Sequence, residues 1–192
     1  MSSLFYILFF ITISFPLSYD IKRRKGAGCM LKNILYDRKA ALEYAKKWAF
    51  ERNPKYFNFE NIGGDCTSYI SQCLFAGCNV MNYTPIYGWY YKNSYDRAPA
   101  WSGVEFLYNF LINNKSVGPF GIDTDLEYIE PADIIQLGSN DNNFYHNLFI
   151  NKIYENEIFV SSHSMDSYMR PLESYNYDKL RFIHIIAARK YE

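Results

Sequence analysis

No charge of one sign dominates this chain: 20 Lys and Arg stand against 20 Asp and Glu, a formal net charge of zero. Phosphate backbones are bound by clustered Lys and Arg, so this balance argues against nucleic acid as a partner. The one dense basic run is Lys22-Arg23-Arg24-Lys25, beside an apolar segment. Histidine is scarce at 3, cysteine at 4, and no C-x-x-C pair occurs. That excludes a zinc-binding pattern, and no metal or organic cofactor is expected. Four cysteines in 192 residues do not make a disulfide framework. Cys66 and Cys73 fall seven apart in a helical pattern, too far for a bridge.

A long apolar span is also lacking. Residues Leu4 to Leu17 are apolar, about 14 residues where a membrane helix needs roughly 20. The length suits a signal core, but the positive charges follow it instead of preceding it. Residues 1–29 are therefore expected to be an apolar leader or an over-extended start before Met30-Leu31-Lys32. A start at Met30 implies a cytoplasmic protein, and a working leader implies membrane attachment or export. Membrane contact is expected only in the second case.

What the chain has in plenty is hydrophobic surface, 49% of residues, with 19 Tyr and 15 Phe. This excludes disorder and permits one domain with a buried core. Apolar positions at helical spacing predict a helix over Tyr36–Phe50, capped by Asp37 and ended by Asn53-Pro54. Gly63-Gly64-Asp65 predicts a turn into a second helix with Cys66 in its first turn, Asp65 as cap and Gly77 as its stop. An aromatic loop, Tyr83–Trp101, follows. Ser102 and Glu105 have the spacing of a capping box, and Val104, Leu107, Tyr108 and Leu111 continue a third helix. Asn113–Gly121 reads as a polar break. Strands are predicted over 133–137, 146–154, 158–162 and 180–188. Helices first and antiparallel strands last make an α+β layout.

Cys66 is the residue with a chemical reading. A cysteine attacks as thiolate, and free thiol titrates near ~8.5. The first helical turn offers unpaired N–H groups and the positive end of the dipole, which favour the anion. A nearby His would complete a thiolate–imidazolium pair, and the Cys66 N–H would serve a developing oxyanion. Cys73 and Cys78, on the apolar face, read as small buried hydrophobes. His146 opens the strand predicted after Tyr145 and is the candidate base.

The run Gly-Gly-Asp-Cys-Thr-Ser-Tyr-Ile-Ser-Gln-Cys, residues 63–73, resembles the signature of the bacterial putative amidase domain family. Collinear segments extend the resemblance over residues 34–190: Tyr36-Asp37-Arg38, Asn53-Pro54, Trp101-Ser102-Gly103, Pro131-Ala132-Asp133 and Tyr145-His146-Asn147. The resemblance implies a papain-like cysteine hydrolase, related to NlpC-type peptidases and CHAP amidases. Its fold would pack the nucleophile helix on a C-terminal antiparallel sheet. It implies Cys66 as nucleophile and His146 as base, with His163 orienting the base and Asp166 or Asp133 as rivals for that role. Asn61 is a candidate second oxyanion donor, and Trp89, Tyr90 and Trp101 are candidate groove residues. The chain departs from the family pattern at Ser68 (typically Asn), Ala132 (typically Gly) and Asn147 (typically Ser).

The expected reaction is hydrolysis of an amide or peptide bond through a thioester, with peptidoglycan peptides a substrate suggested by the resemblance. Acyl transfer at the same site, a catalytically silent peptide-binding module and a membrane-attached interaction protein are the competing readings.

Overall fold

The computed structural model describes residues 29–192. The expectations for the apolar segment and the basic run fall outside the described residues. Among the described residues, no helix is long and apolar enough to cross a membrane.

The elements are β1 (Leu31–Ile34), α1 (Arg38–Trp48), α2 (Cys66–Cys78), α3 (Pro99–Ser102), α4 (Val104–Asn113), β2 (Gly118–Thr124), β3 (Ile134–Gly138), β4 (Phe144–Tyr154), β5 (Glu157–Ser162), β6 (Ser167–Pro171) and β7 (Lys179–Tyr191). The domain is α+β, with one seven-stranded antiparallel sheet. Its spine is the 13-residue β7. Phe182 pairs with both Thr124 of β2 and Ile135 of β3, and Ala188 with both Pro119 of β2 and Ile34 of β1. So β2 lies along one edge of β7, while β3 and then β1 share the other. The sheet continues from β3 through β4 and β5 to β6.

Alternate strand residues face opposite ways, and both faces of this sheet are covered. Ile134, Phe149, Ile183 and Ile185 pack with α1, α2 and α4. Ile135, Leu137, Leu148, Ile150 and Val160 pack on the far face with Leu172 and Tyr175. Burial on both faces is why every position of β3 is buried, with no alternation, Gln136 included.

Asp37 caps α1, its carboxylate accepting from Ala40 N–H at 2.9 Å. At α2 the sequence expectations change in two places. Asp65 holds the cap position, but its carboxylate makes no cap bond and instead accepts from Phe59 N–H at 3.1 Å. Gly77 does not stop the helix; Asn79 does, in the left-handed conformation at φ 50. Gly77 is where α2 meets the residues leading into α1: a methyl there would meet the Tyr36 ring at 2.3 Å. Ser102 and Glu105 form no capping box. Gly103 is the cap of α4, Ser102 accepts from Arg97, and Glu105 pairs with Arg181 at 2.8 Å. The predicted polar break conceals β2, and β1 and β6 are strands absent from the sequence reading.

Candidate functional site

The four cysteines are free, with Cys66, Cys73 and Cys78 buried. Cys66 is the first residue of α2, as its context predicts. Gly63 and Gly64 approach it at φ 92 and 96, left-handed values that glycine adopts without steric cost.

Opposite this helix start, the sheet has a gap. Ile150 exchanges hydrogen bonds with Asp133 and Ala132, so its N–H and C=O point toward β3. Alternation turns Leu148 the same way, and Phe149 and Asn147 toward β5. Phe149 finds Ser161 there, but β5 ends at Ser162, one position short of Asn147. Among the described residues the Asn147 N–H has no strand partner, and it acts on the Cys66 thiol by favouring the thiolate. The contact given for the sulfur is Thr67 Oγ1, at 3.8 Å.

The side chain of Asn147 fastens this junction. Its amide donates to Thr67 Oγ1 at 2.8 Å and accepts from Gln136 Nε2 at 2.7 Å. Gln136 accepts in turn from Arg181 Nε at 2.8 Å. Asn147, in place of the smaller family residue, thus ties β4 to the residue after Cys66. Ser68, another departure, is fully buried and accepts from Gln72 at 3.0 Å. Ala132 keeps the left-handed backbone a glycine would take, φ 74, with its carbonyl accepting from Tyr36 Oη at 3.2 Å.

His146 lies one residue before Asn147, its ring toward the far face beside Tyr175, with centroids 6.3 Å apart. Its Nε2 is 2.9 Å from Ser162 Oγ. Ser162 has one hydroxyl proton, and that proton is donated to the His163 carbonyl at 2.6 Å. Ser162 can then only accept from His146, which puts the ring proton on Nε2 and leaves Nδ1 with a free lone pair. Among the described residues no hydrogen bond joins His146 to Cys66; such bonds are often long in unliganded sites and tighten with substrate.

Burial pushes the Cys66 thiol up, and the neighbouring Asp65 carboxylate adds to this; the N–H groups of Asn147 and Thr67 and the Thr67 hydroxyl act in the opposite direction. Burial also pushes His146 down to about 4, with Arg170 adding to the effect and Glu60 opposing it. The resting pair is therefore neutral thiol and neutral imidazole at pH 7, in contrast to the lowered thiol that the helix position alone suggests. Each shift is the cost of charging one group by itself. Moving a proton from sulfur to ring creates both charges together, and each then offsets the other.

The remaining sequence candidates are distributed as follows. His163 is not at His146. Its Nδ1 is 2.6 Å from Asp65 Oδ2, its Nε2 2.8 Å from the Trp48 carbonyl, and its ring stacks on Tyr69. Asp166 chelates Arg52 with two bonds of 2.8 and 2.9 Å. Asp133 is fully buried among Arg38, His184 and the N–H groups of Glu130 and Ile185. Trp89 and Trp101 are sealed in the core at 0% exposure, packed on each other at a tilt, and cannot line a groove. Tyr90 is half-buried beside Tyr83 and Lys92. Asn61 is exposed in the turn ahead of Cys66. Sequence reasoning missed Ser162, Thr67 and Asn147. The oddity of Asn147 against the family pattern was the one available signal.

An antiparallel sheet with helices packed on one face, one of them starting at Cys66, makes this an α+β domain. The family itself is shown by comparison: residues 35–186 match the putative amidase domain, and the chain belongs to that family. The family suggests an amidase-like hydrolase. A curated relative, the uncharacterized protein YhbB of Bacillus subtilis (strain 168), is 33% identical over 139 residues. That alignment covers 70% of this chain and 43% of the relative, so the chain spans less than half the relative's length. No solved structure matches the chain.

Proposed function

We propose that this domain is a papain-like cysteine hydrolase of amide or peptide bonds, with Cys66 as nucleophile, His146 as base and Ser162 as the residue orienting that base. The observation carrying this reading is the Ser162 hydroxyl. Its only proton goes to the His163 carbonyl, so His146 is held with Nδ1 unprotonated, one residue before Asn147, whose side chain bonds Thr67, the neighbour of Cys66.

In the proposed reaction Nδ1 takes the thiol proton and sulfur attacks the substrate carbonyl. The Cys66 N–H, at the start of α2, donates to the oxyanion, with Asn61 as a second donor. The imidazolium returns its proton to the leaving amine as the C–N bond breaks. Water, deprotonated by Nδ1, then cleaves the thioester and releases the acid. Ser162 accepts the Nε2 proton throughout. It takes the place first assigned to His163, which is occupied elsewhere. Peptidoglycan stem peptides are the substrate class to test first, on the family resemblance. The same acyl-enzyme could pass its acyl group to an amine instead of water, and product analysis separates these outcomes.

The burial-raised thiol and depressed imidazole favour a second reading, a papain-like module that binds a peptide without cleaving it. One measurement separates the two: alkylation of each cysteine by iodoacetamide against pH, mapped by mass spectrometry, in native protein and in His146→Ala. Hydrolysis requires Cys66 to outpace Cys73 and Cys78 and to lose that advantage in the variant. Equal rates for the three would remove the nucleophile and leave the binding module.

A further inference from the structure

His163 is 1% exposed, and both of its ring nitrogens face acceptors. Nδ1 is 2.6 Å from Asp65 Oδ2, and Nε2 is 2.8 Å from the carbonyl of Trp48. A carbonyl oxygen only accepts. An ionised carboxylate only accepts. A neutral imidazole carries one N–H and can satisfy only one of them; two such partners require the doubly protonated ring. Trp48 is the last residue of α1, where unpaired carbonyls and the negative end of the helix dipole favour a cation. The alternative, a protonated Asp65 donating to a neutral ring, is opposed by Arg52, whose Nε lies 3.3 Å from the same carboxylate oxygen.

We propose that His163 is a positioning residue for Cys66: a buried imidazolium that clamps Asp65, the residue immediately before the nucleophile, to the end of α1. This rests on the reading of Cys66 given above. The clamp has a second hold one residue on, where the Asp65 N–H donates to Ser164 Oγ at 3.0 Å. Asp65 in turn grips the loop through Phe59 N–H, so the turn from Phe59 to Cys66 is fixed at both ends by residues 163–164. The clamp also acts through charge. The Asp65 carboxylate opposes a thiolate on Cys66, and an imidazolium bonded to that carboxylate neutralises it. The other charged groups around the pair are Arg52, Glu60 and Asp166. Arg52 bridges both carboxylates at 3.1 and 2.8 Å, and Tyr69 covers the ring face.

Nitrogen-15 NMR of histidine-labelled native protein at pH 7.5 reads the protonation state directly. The expected result is two exchange-protected ring protons on His163, with both nitrogens at protonated shifts, and collapse to a neutral tautomer in Asp65→Asn. A single protonated nitrogen in the native protein would overturn the clamp. His163→Phe, which donates nothing, should slow Cys66 alkylation about tenfold, as expected for one lost charge-assisted hydrogen bond. His163→Gln, whose amide still donates, should recover much of the rate. Equal rates in the two variants would reduce His163 to a packing residue. If Cys66 proves unreactive while both His163 protons are seen, the nucleophile reading fails and the imidazolium stands.

Discussion

A single hydroxyl proton decides the chemistry proposed for His146. Ser162 spends that proton on the His163 carbonyl, and the imidazole must donate to what remains. Ser162→Ala removes the acceptor and frees both tautomers. A neutral hydrogen bond of this kind contributes about 1–1.5 kcal/mol, so kcat should fall roughly tenfold with KM little changed. Steady-state kinetics on any cleaved peptide amide checks this, and an unchanged kcat would remove Ser162 from the machinery. The comparison with His163 is instructive because the two are neighbours in sequence. The pleat sends Ser162 to the far face with His146. The following residue leaves the strand and turns to α1, where its ring is fully engaged. Polarity and position along the chain single out both residues equally; only the direction of each side chain separates them.

At the scale of elements, what was legible followed from apolar pattern. The strands expected at 133–137, 146–154, 158–162 and 180–188 became β3, β4, β5 and β7 with shifts at their ends, since each is rich in Ile, Leu, Phe or Val. Two of the three missed strands carry residues that usually mark turns: Gly118-Pro119 opens β2, and Arg170-Pro171 closes β6. They form because β7 and β5 supply a partner edge, which is tertiary information. Trp89 and Trp101 were misplaced for a related reason. An aromatic loop looks like a groove wall until the fold brings it under α2, where Trp89 Nε1 donates to Ser71 Oγ at 2.9 Å. Cys66 and the turn before it were legible because glycine pairs and helix starts are local. Gly77 shows propensity and packing opposed. Alanine there is the better helix former by about 1 kcal/mol. Its methyl would lie 2.3 Å from a Tyr36 ring carbon and 3.0 Å from the Asp37 carbonyl. Overpacking of this kind costs about 1–3 kcal/mol, so Gly77→Ala should destabilise on balance. Urea unfolding measures it, and a stabilised variant would mean that Tyr36 and Asp37 can move aside freely.

Over the whole molecule the formal charges cancel, so no general electrostatic repulsion sets the pH response at neutrality; buried individual groups do. His146 should be prominent among them, with its ordinary value of 6.5 pushed down to about 4 by burial. Above pH 6.5 the ring is neutral in the folded and unfolded chain, and no penalty exists. Between 6.5 and 4 the unfolded chain takes up a proton that the folded one refuses, so stability falls as the pH falls. Below 4 both states are protonated and the loss is complete, at up to about 3 kcal/mol by linkage. Other groups titrate in acid too, including Asp96 and Asp141, which exposed hydrogen bonds hold below the usual carboxylate range. The test is therefore a difference. In His146→Gln the amide can still donate to Ser162 but does not titrate. Urea unfolding of both proteins at steps from pH 7.5 to 4 should show the native protein losing stability relative to the variant, beginning near 6.5. Parallel curves would mean that His146 accepts a proton in the folded state as easily as in water. Its ring would then be open to solvent instead of enclosed beside Tyr175 and Ser162. The neutral resting pair derived for Cys66 and His146 would give way to one already charged at mildly acid pH.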